Sequence, residues 1–200
     1  MLRQPVTSTV TTLRVPADLR QWATRFEGVH VDLGTGDGAF AIQLARRHPE
    51  LAVVAVDTNL DHLAGSARRR PDNVRFVRFD ALGWPLGVLP RADTVSGNFP
   101  YGSLLRGLVE GDPALIVRLD ALLGRGSRLD VRVNESALLA TGLDPMGGPK
   151  AIVETLRDIE GVRARLQELG RSELRTFPSS WSKRLGYGKE TTAHLIAATR

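Results

Sequence analysis

Between Val29 and Arg47 the chain passes from an apolar run, Val29–Leu33, through Gly34-Thr35-Gly36-Asp37-Gly38 into a helical pattern with Ile42, Leu44 and Ala45 on one side. A strand that ends in alternate glycines and runs directly into a helix leaves few architectures open. The glycines let the backbone turn tightly and approach a ligand closely. The rest of the chain repeats the alternation. Leu51–Val56 reads as a strand buried on both faces and Leu60–Arg70 as a helix. Val74–Phe79 and Ala92–Asn98 read as strands, Leu104–Val109 and Ala114–Leu123 as helices, and Arg128–Val133 as a fifth strand. The apolar steps of three and four at Ile152, Val153, Leu156, Ile159, Val162, Leu166 and Leu169 predict one long amphipathic helix. Ser172–Phe177 and Thr192–Ala198 read as two last strands, a final antiparallel hairpin. At the other end, Pro16-Ala17-Asp18 opens a short helix burying Leu19, Trp22 and Phe26, and residues 1–15, rich in Thr and Val, read as an extended segment or hairpin. Strands alternating with helices predict an α/β fold, a Rossmann-like parallel sheet covered on both faces.

Composition narrows the class without choosing a function. A chain of 200 residues suits a single domain, 1–200, with residues 1–27 as an extension packed on it. There is no cysteine, which excludes disulfide scaffolds, thiolate metal sites and cysteine nucleophiles. The four histidines, His30, His48, His62 and His194, have no ligand spacing and read as structural, so no metal is expected. Leu51–Val56 is the longest apolar run, far short of the ~20 residues of a membrane span. Met1–Pro5 lacks a signal-peptide pattern, which leads us to expect a cytoplasmic protein with no membrane partner. The charge of +5 rests on 24 Arg and 3 Lys; arginine is the better phosphate clamp, but this excess permits nucleic acid without proving it.

The glycine spacing separates two kinds of cofactor. Dinucleotide folds use G-x-G-x-x-G with a helix N-terminus facing pyrophosphate. Here the pattern is acidic-x-Gly-x-Gly-x-Gly, with Asp32 beside the loop. A carboxylate there repels pyrophosphate and suits a sulfonium and an ammonium group. Asp57 ends the next strand, where it can accept from both ribose hydroxyls. Asp80-Ala81 ends the third. Acidic residues at three successive strand ends are not explained by glycines serving only as turns. The pattern resembles the class I S-adenosylmethionine (SAM)-dependent methyltransferases, which implies SAM as cofactor and a seven-stranded sheet with its last strand antiparallel.

The fourth strand ends in Asn98-Phe99-Pro100-Tyr101-Gly102-Ser103, where methyltransferases acting on amines and bases place the acceptor. A flat heteroaromatic acceptor can stack on an aromatic face at ~1–3 kcal/mol per base. Tyr101 offers one face and Trp181 a second, the latter beside Lys183 and Arg184; Trp22 and Trp84 read as core or loop packing. Phe99–Leu105, Val29–Gly38 and Ser179–Leu185, with Tyr187-Gly188-Lys189 after them, resemble the three motifs of the 16S rRNA (adenine-1408 N1)-methyltransferases of kanamycin–apramycin resistance. The resemblance implies methylation of N1 of adenosine 1408 in the assembled 30S subunit, giving aminoglycoside resistance; a monomer is expected. It implies that Asp32, Gly34, Thr35, Gly36, Asp57, Asp80, Ala81, Asn98 and Ser103 form the SAM site. Tyr101 and Trp181 would sandwich the flipped adenine, Pro100 and Ser179 would line its pocket, and Arg68, Arg69, Arg70, Lys183, Arg184 and Lys189 would grip rRNA.

The chemistry needs no general base, because N1 of neutral adenine already carries an in-plane lone pair. The chain also departs from the family pattern. Tyr101 stands in place of Trp, Leu82 in place of a Glu, and Thr141 and Thr191 in place of RNA-binding arginines, with Glu190 in a basic stretch. Each lost cation removes a phosphate contact, so weaker or conditional activity is expected. Two other readings stay open. One is an N6-adenine, glutamine or other amine methyltransferase, since Asn98–Tyr101 is one substitution from Asn-Pro-Pro-Tyr; the other is a non-catalytic SAM-binding, ribosome-associated protein. A Rossmann oxidoreductase has the wrong glycine spacing.

Overall fold

The computed structural model describes residues 19–63, 70–178 and 193–200. Its strands are β1 (Gly28–Leu33), β2 (Leu51–Asp57), β3 (Val74–Arg78), β4 (Ala92–Asn98), β5 (Leu123–Asn134), β6 (Arg163–Leu169) and β7 (Ala193–Thr199). They form one sheet in the order β3-β2-β1-β4-β5-β7-β6. The first five pair in parallel, and β7 runs antiparallel between β5 and β6. The helices are α1 (Leu19–Ala23), α2 (Ala39–Arg47), α3 (Gly102–Glu110), α4 (Pro113–Leu122), α5 (Glu135–Ala140), α6 (Gly148–Arg157) and α7 (Arg171–Thr176). The α/β architecture with its antiparallel last strand is the one the sequence predicts.

Burial matches the place of each strand in the sheet. In β2 all five residues Ala52–Val56 are buried, as a strand covered on both faces requires. Ala41 and Ala45 of α2 pack with Val53, Ala55 and Val74 on one face of the sheet. The larger cluster joins Leu19, Trp22 and Trp84 to Leu105, Leu115, Leu119, Ile152 and Leu156, with Val31 and Val95 from the strands. Helix starts are marked in the sequence: Asp112 caps α4 by accepting from the Ala114 N–H at 2.7 Å, with Pro113 in its first turn.

Two sequence expectations fail, both near the C-terminus. The apolar series from Ile152 to Leu169 is not one helix: α6 stops at Arg157, Gly161 takes φ +77°, and β6 begins at Arg163. As an edge strand, β6 leaves Arg163, Arg165, Leu166, Gln167 and Glu168 exposed, so it lacks the two-residue alternation of a half-buried strand. The spacing of Leu166 and Leu169 then imitates a further helical turn. Ser172–Phe177 is helical rather than extended. The Gly170 N–H donates to the Glu173 carboxylate at 2.8 Å, which starts α7, and only Leu174 within it is buried. Where a helix over Leu60–Arg70 is expected, the described part is a single 3-10 turn, Asp61–Leu63, and residues 64–69 lie outside the described residues. The expected segment 1–15 and the start of the first helix lie outside them too.

Candidate functional site

The carboxyl ends of β1, β2, β3 and β4 open into a cleft of about 780 Å³. Its wall includes Gly34, Thr35 and Gly36 after β1, Asp57 at the end of β2, Ala81 after β3, and Asn98, Pro100, Tyr101 and Ser103 around the β4–α3 turn. Nine of the residues expected at the site therefore surround one space. The turn is held by main-chain bonds: the Gly34 and Thr35 N–H groups donate to the Val56 carbonyl at 2.8 and 3.0 Å. The Gly36 N–H donates to the Asp57 carboxylate at 2.8 Å, which ties the glycine loop to the strand next door. Gly36 takes φ +56° and no atom outside its immediate neighbours lies within 4 Å of where a Cβ would stand, so its glycine keeps cleft space open.

Gly38 is a glycine for a different reason. It takes φ +71° as the residue before α2, and a Cβ there would lie 2.6 Å from Leu63 Cδ2 and 2.9 Å from the Phe76 ring. Gly38→Ala combines left-handed strain with overpacking and is expected to cost about 2–4 kcal/mol. A thermal melt checks this; an unchanged melting temperature would show that the loop relaxes without cost.

Asp32 lies one layer beneath the cleft surface, 1% exposed. Its Oδ1 accepts from the Ser96 hydroxyl at 2.6 Å and from Asn98 Nδ2 at 3.2 Å. Burial raises its pKa to about 6 against the opposing pull of Ser96, Thr35 and Asn98, and the charge of Asp57 raises it further. Behind it, His30 Nε2 is 2.9 Å from Ser96 Oγ and Nδ1 is 2.7 Å from Thr94 Oγ1. An ionised carboxylate only accepts, so Ser96 donates to Asp32 and accepts from His30 Nε2–H. Nδ1 is then the acceptor for the Thr94 hydroxyl. This fixes His30 as the neutral Nε2–H tautomer, in keeping with a pKa lowered to about 4 by burial. His30 is structural, as its spacing suggests, but what it supports is the carboxylate of the glycine-loop strand.

Asp80 stands at the cleft margin, where it accepts from the Leu82 N–H at 2.9 Å and from the Ser103 hydroxyl at 3.4 Å. Tyr101 is 58% exposed, with its ring available at the mouth. Leu82 packs against the core, which accounts for an apolar residue there. Thr141 closes α5 by donating to the Ala137 and Leu138 carbonyls. Arg70 is exposed ahead of β3, away from the cleft wall. Arg68, Arg69, Ser179, Trp181, Lys183, Arg184 and Lys189 lie outside the described residues. Sequence reasoning missed Arg132 and Phe177. Asn98 Oδ1 accepts from Arg132 at 3.1 Å, and that guanidinium stacks over the Phe177 ring. The available signal was register, since Arg132 is directly opposite Asn98 on the neighbouring strand.

The charged residues lining the cleft are Asp37 and Asp57, with no cation among the described lining residues and Asp32 just below. Such a cleft opposes a pyrophosphate and favours a cationic ligand. With the 3-2-1-4-5-7-6 sheet it defines the class: SAM-dependent methyltransferases of class I. Residues 8–200 match the family model described as NpmA: 16S rRNA (adenine(1408)-N(1))-methyltransferase, and the chain belongs to that family. It is 26% identical over 190 residues to the 16S rRNA (adenine(1408)-N(1))-methyltransferase of Streptoalloteichus hindustanus, covering 87% of each chain. To the Escherichia coli protein of the same name it is 24% identical over 198 residues, covering 90% of each. Among solved structures it resembles a tryptophan-to-alanine mutant of that methyltransferase from Catenulisporales acidiphilia, solved with cosubstrate SAM. The TM-score is 0.73 at 25% identity, over 90% of this chain and 89% of that one. Among the described residues no helix is long and apolar enough to cross a membrane, and no group of three or more His, Asp or Glu could hold a metal ion.

Proposed function

We propose that this chain, as one methyltransferase domain over 1–200, transfers the methyl group of SAM to N1 of adenosine 1408 in the assembled 30S subunit, giving aminoglycoside resistance. The observation that carries the reading is the acidic glycine-loop cleft opening directly onto the Asn98–Ser103 turn with Tyr101 at its mouth. In this reading the enzyme acts on ribosomes in the cytoplasm as a monomer and needs no membrane.

SAM supplies an electrophilic methyl on a sulfonium centre. Gly34, Thr35 and Gly36 would present the loop backbone to it, Asp57 would accept from its ribose hydroxyls, and Ala81 with Ser103 would border its adenine. Asp32 acts through its charge, since its side chain is below the cleft surface. The acceptor base must leave its stack at a cost of a few kcal/mol. Tyr101 and Trp181 recover part of that by stacking on it, while Pro100 and Ser179 frame its edge and hold N1 in line. Transfer moves the positive charge onto the base, where two aromatic faces stabilise it. Arg68, Arg69, Arg70, Lys183, Arg184 and Lys189 would hold rRNA phosphates. The smaller Tyr101 face and the threonines at 141 and 191 support weaker or conditional activity.

Two measurements bear on this account. SAM affinity should fall by up to about tenfold per pH unit below pH 6. Asp32, with its pKa raised to about 6, is then protonated in the free protein and must ionise when a cation binds. Equal affinity at pH 7.5 and pH 5 would remove Asp32 from SAM recognition. For the product, 30S subunits methylated in vitro and digested to nucleosides should yield N1-methyladenosine. N6-methyladenosine would instead establish the amine reading motivated by Asn98–Tyr101. SAM and 30S binding without transfer would establish the non-catalytic reading.

A further inference from the structure

Arg132, on β5, has no part in the scheme above, yet it touches the turn that the scheme assigns to the flipped base, and Phe177 as well. Its Nη1 donates to Asn98 Oδ1 at 3.1 Å. Its guanidinium carbon lies 4.7 Å from the centre of the Phe177 ring. Its main-chain carbonyl accepts from the Phe99 N–H at 2.7 Å. Phe99 carries the positive φ of +54°, alone among the non-glycine residues described, so the turn leading into Pro100-Tyr101 is strained and must be held from outside.

The contact with Asn98 is one of two that fix its side-chain orientation. An asparagine amide can be turned by half a revolution, exchanging its oxygen and nitrogen. Arg132 can only donate and takes Oδ1 at 3.1 Å, while the Asp32 carboxylate can only accept and takes Nδ2 at 3.2 Å, so the two hold the amide in one orientation from opposite ends. Phe177 is also stacked with the Phe40 ring at 5.2 Å and 14°, and Phe99 meets it edge-on at 6.0 Å. Phe177 comes four residues before Trp181 in the sequence. Burial draws the Arg132 pKa down, while Asp130, Asp32 and Glu173 favour the cation. A planar fork meets an amide oxygen and an aromatic face at once; an ammonium group cannot do both equally well.

We infer that Arg132 is a positioning residue whose side chain fixes the Asn98–Tyr101 turn against Phe177, setting the Tyr101 face on which the adenine stacks. The inference rests on the function proposed above for its consequence, but not for its geometry.

Hydrogen exchange of the intact protein reads the geometry without reference to activity. In R132A the amides of residues 98–103 and of the peptide carrying Phe177 should exchange at least about tenfold faster, with β1 and β2 unchanged. R132K, a milder change that guards against loss of folding, should accelerate 98–103 more than the Phe177 peptide. Faster exchange throughout the chain in both variants, or no change in either segment, would overturn the inference. In transfer to 30S subunits, R132A and Phe177→Leu should each lower kcat at least about 30-fold, with the SAM Kd moved less than about fivefold. The double variant should be little worse than R132A alone, because both act through one contact. Fully additive losses, or a loss confined to SAM affinity, would contradict it. Should the wild-type protein make no N1-methyladenosine, the function reading falls and the exchange result still decides the role of Arg132.

Discussion

Asp32→Asn is expected to make the free protein more stable while weakening SAM binding by about 30-fold. The carboxylate is almost fully buried, and its pKa of about 6 stands above the 3.8 of a free aspartate. A raised value means that ionisation is harder in the fold than in the unfolded chain. The destabilisation is therefore complete above about pH 6 and vanishes below about pH 4. A shift of some two units corresponds to about 3 kcal/mol at most. Asparagine keeps the Oδ1 that receives Ser96 and Asn98 and removes the charge. At pH 7.5 the gain should be about 1–3 kcal/mol, or roughly 3–9 °C in melting temperature for a chain of this size. The charge it removes is one that the cationic cofactor uses, and about 2 kcal/mol of that attraction accounts for the 30-fold loss. Calorimetry of melting and of SAM binding on the same preparation checks both halves. A less stable variant that binds SAM normally would mean that Asp32 serves the fold rather than the cofactor.

The other large effect is expected at Trp181. Trp181→Ala should reduce methyl transfer to 30S subunits by about 100-fold and leave the SAM Kd within about twofold. One base–aromatic stack is worth ~1–3 kcal/mol, the upper part of which corresponds to this loss. The remaining face, Tyr101, is smaller than the tryptophan of the resembled motif and cannot hold the flipped base alone. Trp181→Phe should recover much of the activity because it restores an aromatic face. Turnover unchanged in Trp181→Ala would remove this residue from the base site. Equal loss in Trp181→Phe would point to the indole N–H instead of the ring face.

Much of this site could be read before any coordinates. Gly34, Gly36, Asp57 and Asn98 announce themselves because positive φ, a strand-end carboxylate and a turn after β4 each require particular residue types at particular spacings. Asp32 is legible as an acidic residue but not as a buried one. Its depth comes from Ser96 and Asn98 of β4, which only strand pairing brings alongside. Arg132 and Phe177 are invisible for the same reason: Arg132 meets Asn98 through parallel pairing of β4 and β5 across 34 residues. The misread C-terminal part has a local cause. Its edge strand is exposed along most of its length, so neither of its faces imposes a two-residue period, and the helical spacing of the preceding α6 runs on into it.

The most direct test of the central claim is transfer of radiolabelled methyl from SAM to intact 30S subunits, naked 16S rRNA and DNA, followed by reverse transcription of the rRNA. N1-methyladenine blocks Watson–Crick pairing, so the account predicts a new stop next to adenosine 1408 in the 30S sample alone. Label incorporated with no stop at that position would contradict it and move the acceptor to another atom or another molecule.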